Sequence, residues 1–405
     1  VYAHWQGLKD VVLMGTLTAT PSKGKEVFAF EYAQDWLHAQ NTHSLDPHLQ
    51  LFHGRQYAPP EKQNFGMFMD SSPDRWGRVL MKRREAIIAR KEGRKPVTLL
   101  ESDYLLGVFD GHRMGALRFK ENMDGPFLSD ETNLASPPWT SLRDLEFASL
   151  QLENDEKVKD SEALKWLNML MAPGASLGGA RPKASIKDPN GALWIAKFPS
   201  IADVRNIGAW EMVVHELASL AGARVPDGML KKFNSKHHTF LSKRFDRIHG
   251  ETRLHFASAM TLLGYNDGDG YMEGVSYLEL AEFITTSAID VKTELEELWR
   301  RIVFNICVSN ADDHLRNHGF ILTPNGWKLS PAFDMNPVPD SQGLTLNISE
   351  NDNSLDIDLA LSVAEYFRIS QKDAKTIVAQ VQGAVSRWPK IATKYKLSRQ
   401  EQDSV

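Results

Sequence analysis

The chain has 405 residues, 42% of them hydrophobic and 24% charged, with a formal net charge of −5. This length implies two or three domains of ordinary globular composition, and the acidic balance argues against a free-standing nucleic-acid binder. No apolar run reaches the roughly 18–20 residues that span a bilayer. The single cysteine, Cys307, excludes an intramolecular disulfide and a cysteine-rich metal site. No secretory signal is legible, so the cytoplasm is the expected compartment.

The first hundred or so residues read as short strands, "VVLMGTLTAT" and "EVFAFEY", followed by a helix in "SSPDRWGRVLMKRREAIIARKEG" with a Ser-Pro start and a basic outer face. From 140 to 170 the chain turns acidic and is expected to form a surface helix or connector, most of its charge solvated. In "GASLGGARPKASIKDPNGALWIAKFPS" two strand-like runs, 181–187 and 192–198, flank the turn signal DPNG. Alternation places Leu193, Ile195 and Lys197 on one face. That face is otherwise apolar, so the Lys197 ammonium needs an anionic partner, either a carboxylate or a ligand phosphate. The next helix, "NIGAWEMVVHELASLAGARVP", offers Glu211 and Glu216. Its inner face is expected to carry Trp210, Val213, Val214, Leu217 and Leu220, with Gly222 ending it. The glycine-rich turn before the strands lets backbone amides approach phosphate oxygens. "MLKKFNSKHHTFLSKRFDR" reads as a hairpin, with His237 and His238 in a solvated turn. From about 255 onward the pattern is helical except for a loop region over 309–350.

"LWRRIVFNICV" has helical spacing, with Leu298, Ile302, Val303, Ile306 and Cys307 on one buried face. The Cys307 thiol is expected to be inert, and Asn310 to end the helix in a left-handed turn. The polar cluster "SNADDHLRNHGF" follows at once. Asp312 and Asn317 have the spacing D-x-x-x-x-N of a phosphotransfer loop, and Asp334 follows in "KLSPAFDM". Asp312 can orient and deprotonate an attacking hydroxyl, while Asn317 and Asp334 are oxygen donors suited to Mg2+. His314 and His318 have helical i,i+4 spacing, but no H-E-x-x-H pattern supports zinc. The order of glycine turn, hairpin, lysine strand and glutamate helix matches the upper lobe of a protein kinase.

In "SLGGARPKAS", "WIAKFPS", "LSKRFDR", "SNADDHLRNHGF" and "LSPAFDMNP", with "SSPDRWGRVLMKR" upstream, the chain resembles the HipA family of serine/threonine kinase toxins from toxin–antitoxin modules. The resemblance implies an α+β, protein-kinase-like two-lobed fold: a strand-rich N-terminal part with an extra N-terminal subdomain, then an all-helical C-terminal lobe. The expected divisions are 1–120, 121–250 and 251–405. It implies ATP and Mg2+ as cofactors, with catalysis by Asp312 and metal binding by Asn317 and Asp334. Nucleotide contacts fall on Ser176, Gly178, Gly179, Ala180, Lys183, Lys197 and His314. A hinge at Lys243, Arg244 and Phe245 would meet adenine, and Asp246 the ribose. Ser176 is the expected autophosphorylation site, with Ser185 a second candidate. The implied partners are a protein substrate, which in the family includes aminoacyl-tRNA synthetases, and a separate helix-turn-helix antitoxin that alone would touch DNA; no membrane is involved. Two departures stand out: Asp313 occupies a place that is often Gly and is expected to add negative charge beside the catalytic loop, and Lys243 one that is acidic in the best-known member. The main alternative is a degenerate kinase fold that only binds a repressor. The acidic balance and the kinase-like order speak against a metal-dependent nuclease, while a small-molecule kinase of the aminoglycoside or lipid type shares the D-x-x-x-x-N spacing.

Overall fold

A computed structural model describes residues 1–39, 43–128, 138–154, 160–171, 181–248 and 252–403. The chain folds into two compact units. One comprises Val1–Ala202, Phe233–Ser235 and Asp246–Ala257, the other Asp203–Lys232, Lys236–Phe245 and Ser258–Val405.

In the first unit, β1 (Gly15–Ser22) and β2 (Lys25–Tyr32) form an antiparallel hairpin. Its turn residues Lys23 and Gly24 are both left-handed (φ 49° and 79°), which matches the twist of the paired strands. Phe28, Phe30 and Tyr32 alternate into the core. Helix α1 (Arg75–Glu92) begins at Asp74, whose side chain accepts from the Gly77 amide at 2.8 Å, and ends at Gly93 with φ 66°. The acidic stretch expected to be mostly solvated is two helices, α2 (Leu142–Glu153) and α3 (Asp160–Met171), which pack on each other, α3 also packing on α1. Leu145, Ala148, Leu152, Leu167 and Leu170 recur at helical spacing beneath the charges and are buried. Even Glu146 is buried, and it accepts from the Ser235 amide at 3.1 Å. The antiparallel pair β3 (Lys183–Lys187) and β4 (Leu193–Lys197) closes around DPNG as expected. There Asp188 Oδ1 accepts from the amides of Asn190 (2.8 Å) and Ala192 (2.9 Å).

In the second unit, α4 (Ile207–Leu220) buries Trp210, Val213, Val214 and Leu217, but Leu220 lies 47% exposed in its last turn. The hairpin of β5 (Gly228–Lys231) and β6 (Thr239–Lys243) forms as read. His237 in its loop is buried rather than solvated, its Nε2 3.2 Å from the Asp203 carbonyl. Helices α5 (Tyr277–Ser287) and α6 (Val291–Val308) follow. The last part of the chain carries α7 (Gln371–Val385) and α8 (Trp388–Lys394). Helices dominate here, yet the region is not all helical. The hairpin of β7 (Gly319–Thr323) and β8 (Gly326–Leu329) lies within what the sequence suggests is loop. Phe320, Ile321, Leu322, Trp327 and Leu329 are all buried in it, and Gly326 at φ 136° makes the turn. No helix among the described residues is long and apolar enough to cross a membrane.

Candidate active site

Helix α6 delivers the polar loop from the core. Leu298, Ile302 and Val303 are fully buried, and the helix ends on Ser309, a left-handed residue at φ 52°, ψ 41°. The cap therefore falls one residue before the expected Asn310. Asn310 has a different task. Its Nδ2 donates to Asn305 Oδ1 (3.0 Å), and its Oδ1 accepts the Asn336 amide at 3.1 Å. With the Val338 amide on the Ser309 carbonyl (2.9 Å), this ties the loop to the segment just past Asp334. The Thr345 amide and hydroxyl both donate to the Ala311 carbonyl, holding the loop from another side.

Within this frame Asp312 is exposed. Asp313 is its opposite. It is buried, and its Oδ2 accepts from Tyr277 Oη (2.6 Å) and Asn305 Nδ2 (2.7 Å) and lies 2.7 Å from His318 Nε2. Burial acts to raise its pKa, but the charge and hydrogen bond of His318, with the Tyr277 hydroxyl, outweigh it and leave the carboxyl below its ordinary value. Asp313 therefore anchors the loop and does not add surface charge beside Asp312. Sequence reasoning missed this role, because Tyr277 and Asn305 lie on separate helices and carry no local signal.

Asn317 is buried, and its Nδ2 donates to the Asp312 carbonyl at 2.9 Å. Its Oδ1 is buried with no hydrogen-bond partner. Such an orphaned acceptor is costly unless a cation or donor completes it. Asp334 is half-buried and left-handed, φ 56°. The strand before it is held by Arg301, which donates to the Ser330 carbonyl at 2.6 Å, and by the Ala332 amide on the Arg224 carbonyl at 2.7 Å. Arg224 is in turn paired with Glu294. His314 lies where the loop and Asp334 meet: burial and then Arg316 lower its pKa, against the pull of Asp312, Asp334 and Asp313. Its imidazole is thus favoured as neutral, with Nδ1 buried and unpartnered. His318 turns to Asp313 and His314 to Arg316, so the two rings do not share a site. No group of three His, Cys, Asp or Glu among the described residues could hold a metal by itself. An Asn317–Asp334 pair suits Mg2+ all the same, since that ion keeps waters and phosphate oxygens as its other ligands.

Of the expected hinge, Lys243 is half-buried and pairs with Asp227 at 3.0 Å, while Arg244 is buried. The Phe245 ring stacks on Phe333, next to Asp334, with centroids 5.5 Å apart. Asp246 belongs to the first unit. It is fully buried, accepting from the Gly115 amide (2.9 Å) and from Arg247 (2.6 Å), so a ribose contact would require that network to open.

Lys197 also belongs to the first unit, at the end of β4. It stands directly opposite Lys183 in the antiparallel register, so both side chains leave the same face of the hairpin. Lys183 is buried and pairs with Asp74 at 2.7 Å. The Asp74 carboxylate thus caps α1 with one oxygen and neutralises Lys183 with the other. Of the carboxylates read as partners for Lys197, Glu211 is buried, and Glu216 is taken by Lys394 and the Tyr395 hydroxyl. Ser185 is buried within β3. Ser176, Gly178, Gly179 and Ala180 lie outside the described residues.

The family model described as the HipA-like C-terminal domain matches residues 175–388. A Haemophilus influenzae protein named as a presumptive kinase is 28% identical over 194 residues, covering 43% of this chain and 56% of that protein. A Shewanella oneidensis serine/threonine-protein kinase toxin HipA is 24% identical over 188 residues, 40% of this chain and 43% of the toxin. The chain thus matches about half the length of these curated relatives. The HipA chain in a Shewanella oneidensis complex of HipA, HipB and operator DNA superposes with a TM-score of 0.62 at 19% identity, over 100% of this chain and 93% of that one. The shared fold is mixed helix and sheet throughout.

Proposed function

Because the chain belongs to the HipA family, we propose that it is an ATP- and Mg2+-dependent protein kinase, the toxin of a toxin–antitoxin pair. One observation supports this most: an exposed Asp312 beside a buried Asn317 whose Oδ1 has no partner, in a loop tied to the Asp334 segment. In this reading Asp312 receives the proton of a substrate serine or threonine hydroxyl. The hydroxyl oxygen bonds to the terminal phosphorus as the bond to the ADP oxygen breaks. Asn317 and Asp334 hold the divalent ion, which supplies charge neutralisation for the phosphate oxygens. Lys197 binds phosphate oxygens, and Lys183 would do so only on leaving Asp74. The neutral His314 lends the loop a donor or acceptor without adding charge.

The hinge residues 243–245 would receive adenine, and Ser176 in the glycine-rich turn would be the enzyme's own phosphorylation target. The relatives extend the reading to a HipB-like, DNA-binding antitoxin as partner. The divisions at 120 and 250 belong to the same proposal. Incubation with labelled ATP and Mg2+ in a lysate, followed by mapping of labelled residues, tests it. Asp312→Asn is expected to abolish labelling while nucleotide binding persists, and Asp334→Asn to weaken metal-dependent nucleotide binding. Near wild-type labelling by Asp312→Asn would overturn the assignment. Intact binding of the antitoxin with no labelling by the wild type would favour a partner protein without catalysis.

A further inference from the structure

The second unit contains a cavity of about 580 Å3 that none of the proposed chemistry uses. Trp210 and Leu217 of α4, Val308 at the end of α6, and Val385 and Trp388 line it. The two indoles stand 6.1 Å apart, tilted by 39°. Its volume falls in the range of small-molecule sites, and its walls are aromatic and aliphatic. The charge in its lining is of one sign only. Asp340 and Asp403 line it, both exposed, and among its described lining residues there is no Lys, Arg or His. An anionic nucleotide would meet repulsion there. An aromatic body carrying an ammonium would gain both the indole faces and the carboxylates.

The position gives such a ligand a lever. One wall includes Val308 and Ser309, where the loop bearing Asp312 begins, and another is Pro337–Asp340, just past Asp334. The Val338 amide on the Ser309 carbonyl joins these two walls directly. We propose that this cavity is a second ligand site, selective for small aromatic amines, whose occupation stiffens the loop at 309–317. The reading is independent of the kinase assignment, since binding and loop order can be measured without turnover.

The test uses tryptamine as the probe, with indole-3-acetate as its anionic counterpart, followed by saturation-transfer NMR on the full chain. Tryptamine is expected to bind and the acid not to bind. An Asp340→Asn/Asp403→Asn pair at the exposed mouth should weaken tryptamine about three- to tenfold. Val385→Trp, which fills the cavity, should remove the signal, with thermal unfolding checking that both variants remain folded. Hydrogen exchange in peptides spanning 309–317 and 336–340 should slow when tryptamine is present. Equal binding of the acid, full displacement of tryptamine by Mg·ATP, or unchanged binding to both folded variants would overturn the proposal.

Discussion

Replacing Asp313 with alanine probes the part of the site that sequence reasoning misread. The side chain is buried, and three groups converge on its Oδ2: Tyr277 Oη, Asn305 Nδ2 and His318 Nε2, all within 2.7 Å. Removing it leaves these buried groups without their acceptor. Breaking a buried charged network of this kind costs about 3–5 kcal/mol, a large share of the about 5–15 kcal/mol by which domains are stable. For a unit of about 150–250 residues that corresponds to a fall in Tm of about 6–20 °C. Asp313→Asn keeps one acceptor oxygen and the shape while losing the charge, so its loss should be roughly half as large. The pH dependence has a definite sign. Because the folded pKa lies below the ordinary 3.8, the carboxylate's contribution is complete above that value and is lost as pH falls through the folded pKa. Chemical denaturation of wild type, Asp313→Asn and Asp313→Ala at neutral pH measures the series. An alanine variant within about 1 kcal/mol of wild type would refute the view that this carboxylate anchors the loop.

Lys197→Ala should leave the fold intact but shrink the stabilisation by Mg·ATP, by about 1.4 kcal/mol for each tenfold loss of affinity; equal thermal shifts in mutant and wild type would count against the phosphate role. Asp74→Ala removes both the α1 cap and the Lys183 partner and should cost about 3–5 kcal/mol, whereas Asp74→Asn retains the cap and should recover about 1 kcal/mol of that in urea unfolding. His255 is fully buried against Trp5, and burial lowers its pKa from 6.5 to about 3. Its neutral form is required by the fold, so stability falls as pH drops below 6.5. The slope is about 1.4 kcal/mol per pH unit, and a His255→Phe variant should escape about 2 kcal/mol of that loss between about pH 6.5 and 5.

The elements that the sequence announced are those specified by neighbours along the chain. The DPNG turn forces a hairpin because Asp188 can bond the amides two and four residues on. The alternation Leu193, Ile195, Lys197 sets a face because successive strand side chains point oppositely. Asp312 and Asn317 stay close because the chain between them is short: the Asn317 side chain donates to the Asp312 carbonyl, and a turn of 3-10 helix, Leu315–Asn317, completes the segment. Other features needed segments that only folding brings together. Asp74 meets Lys183, Tyr277 and Asn305 meet Asp313, and Asn310 meets the backbone past Asp334. A buried carboxylate and a solvated one are the same letter in the sequence. Asp312 and Asp313 are adjacent aspartates with opposite fates, and what separates them is whether distant donors arrive to satisfy the charge once water is excluded.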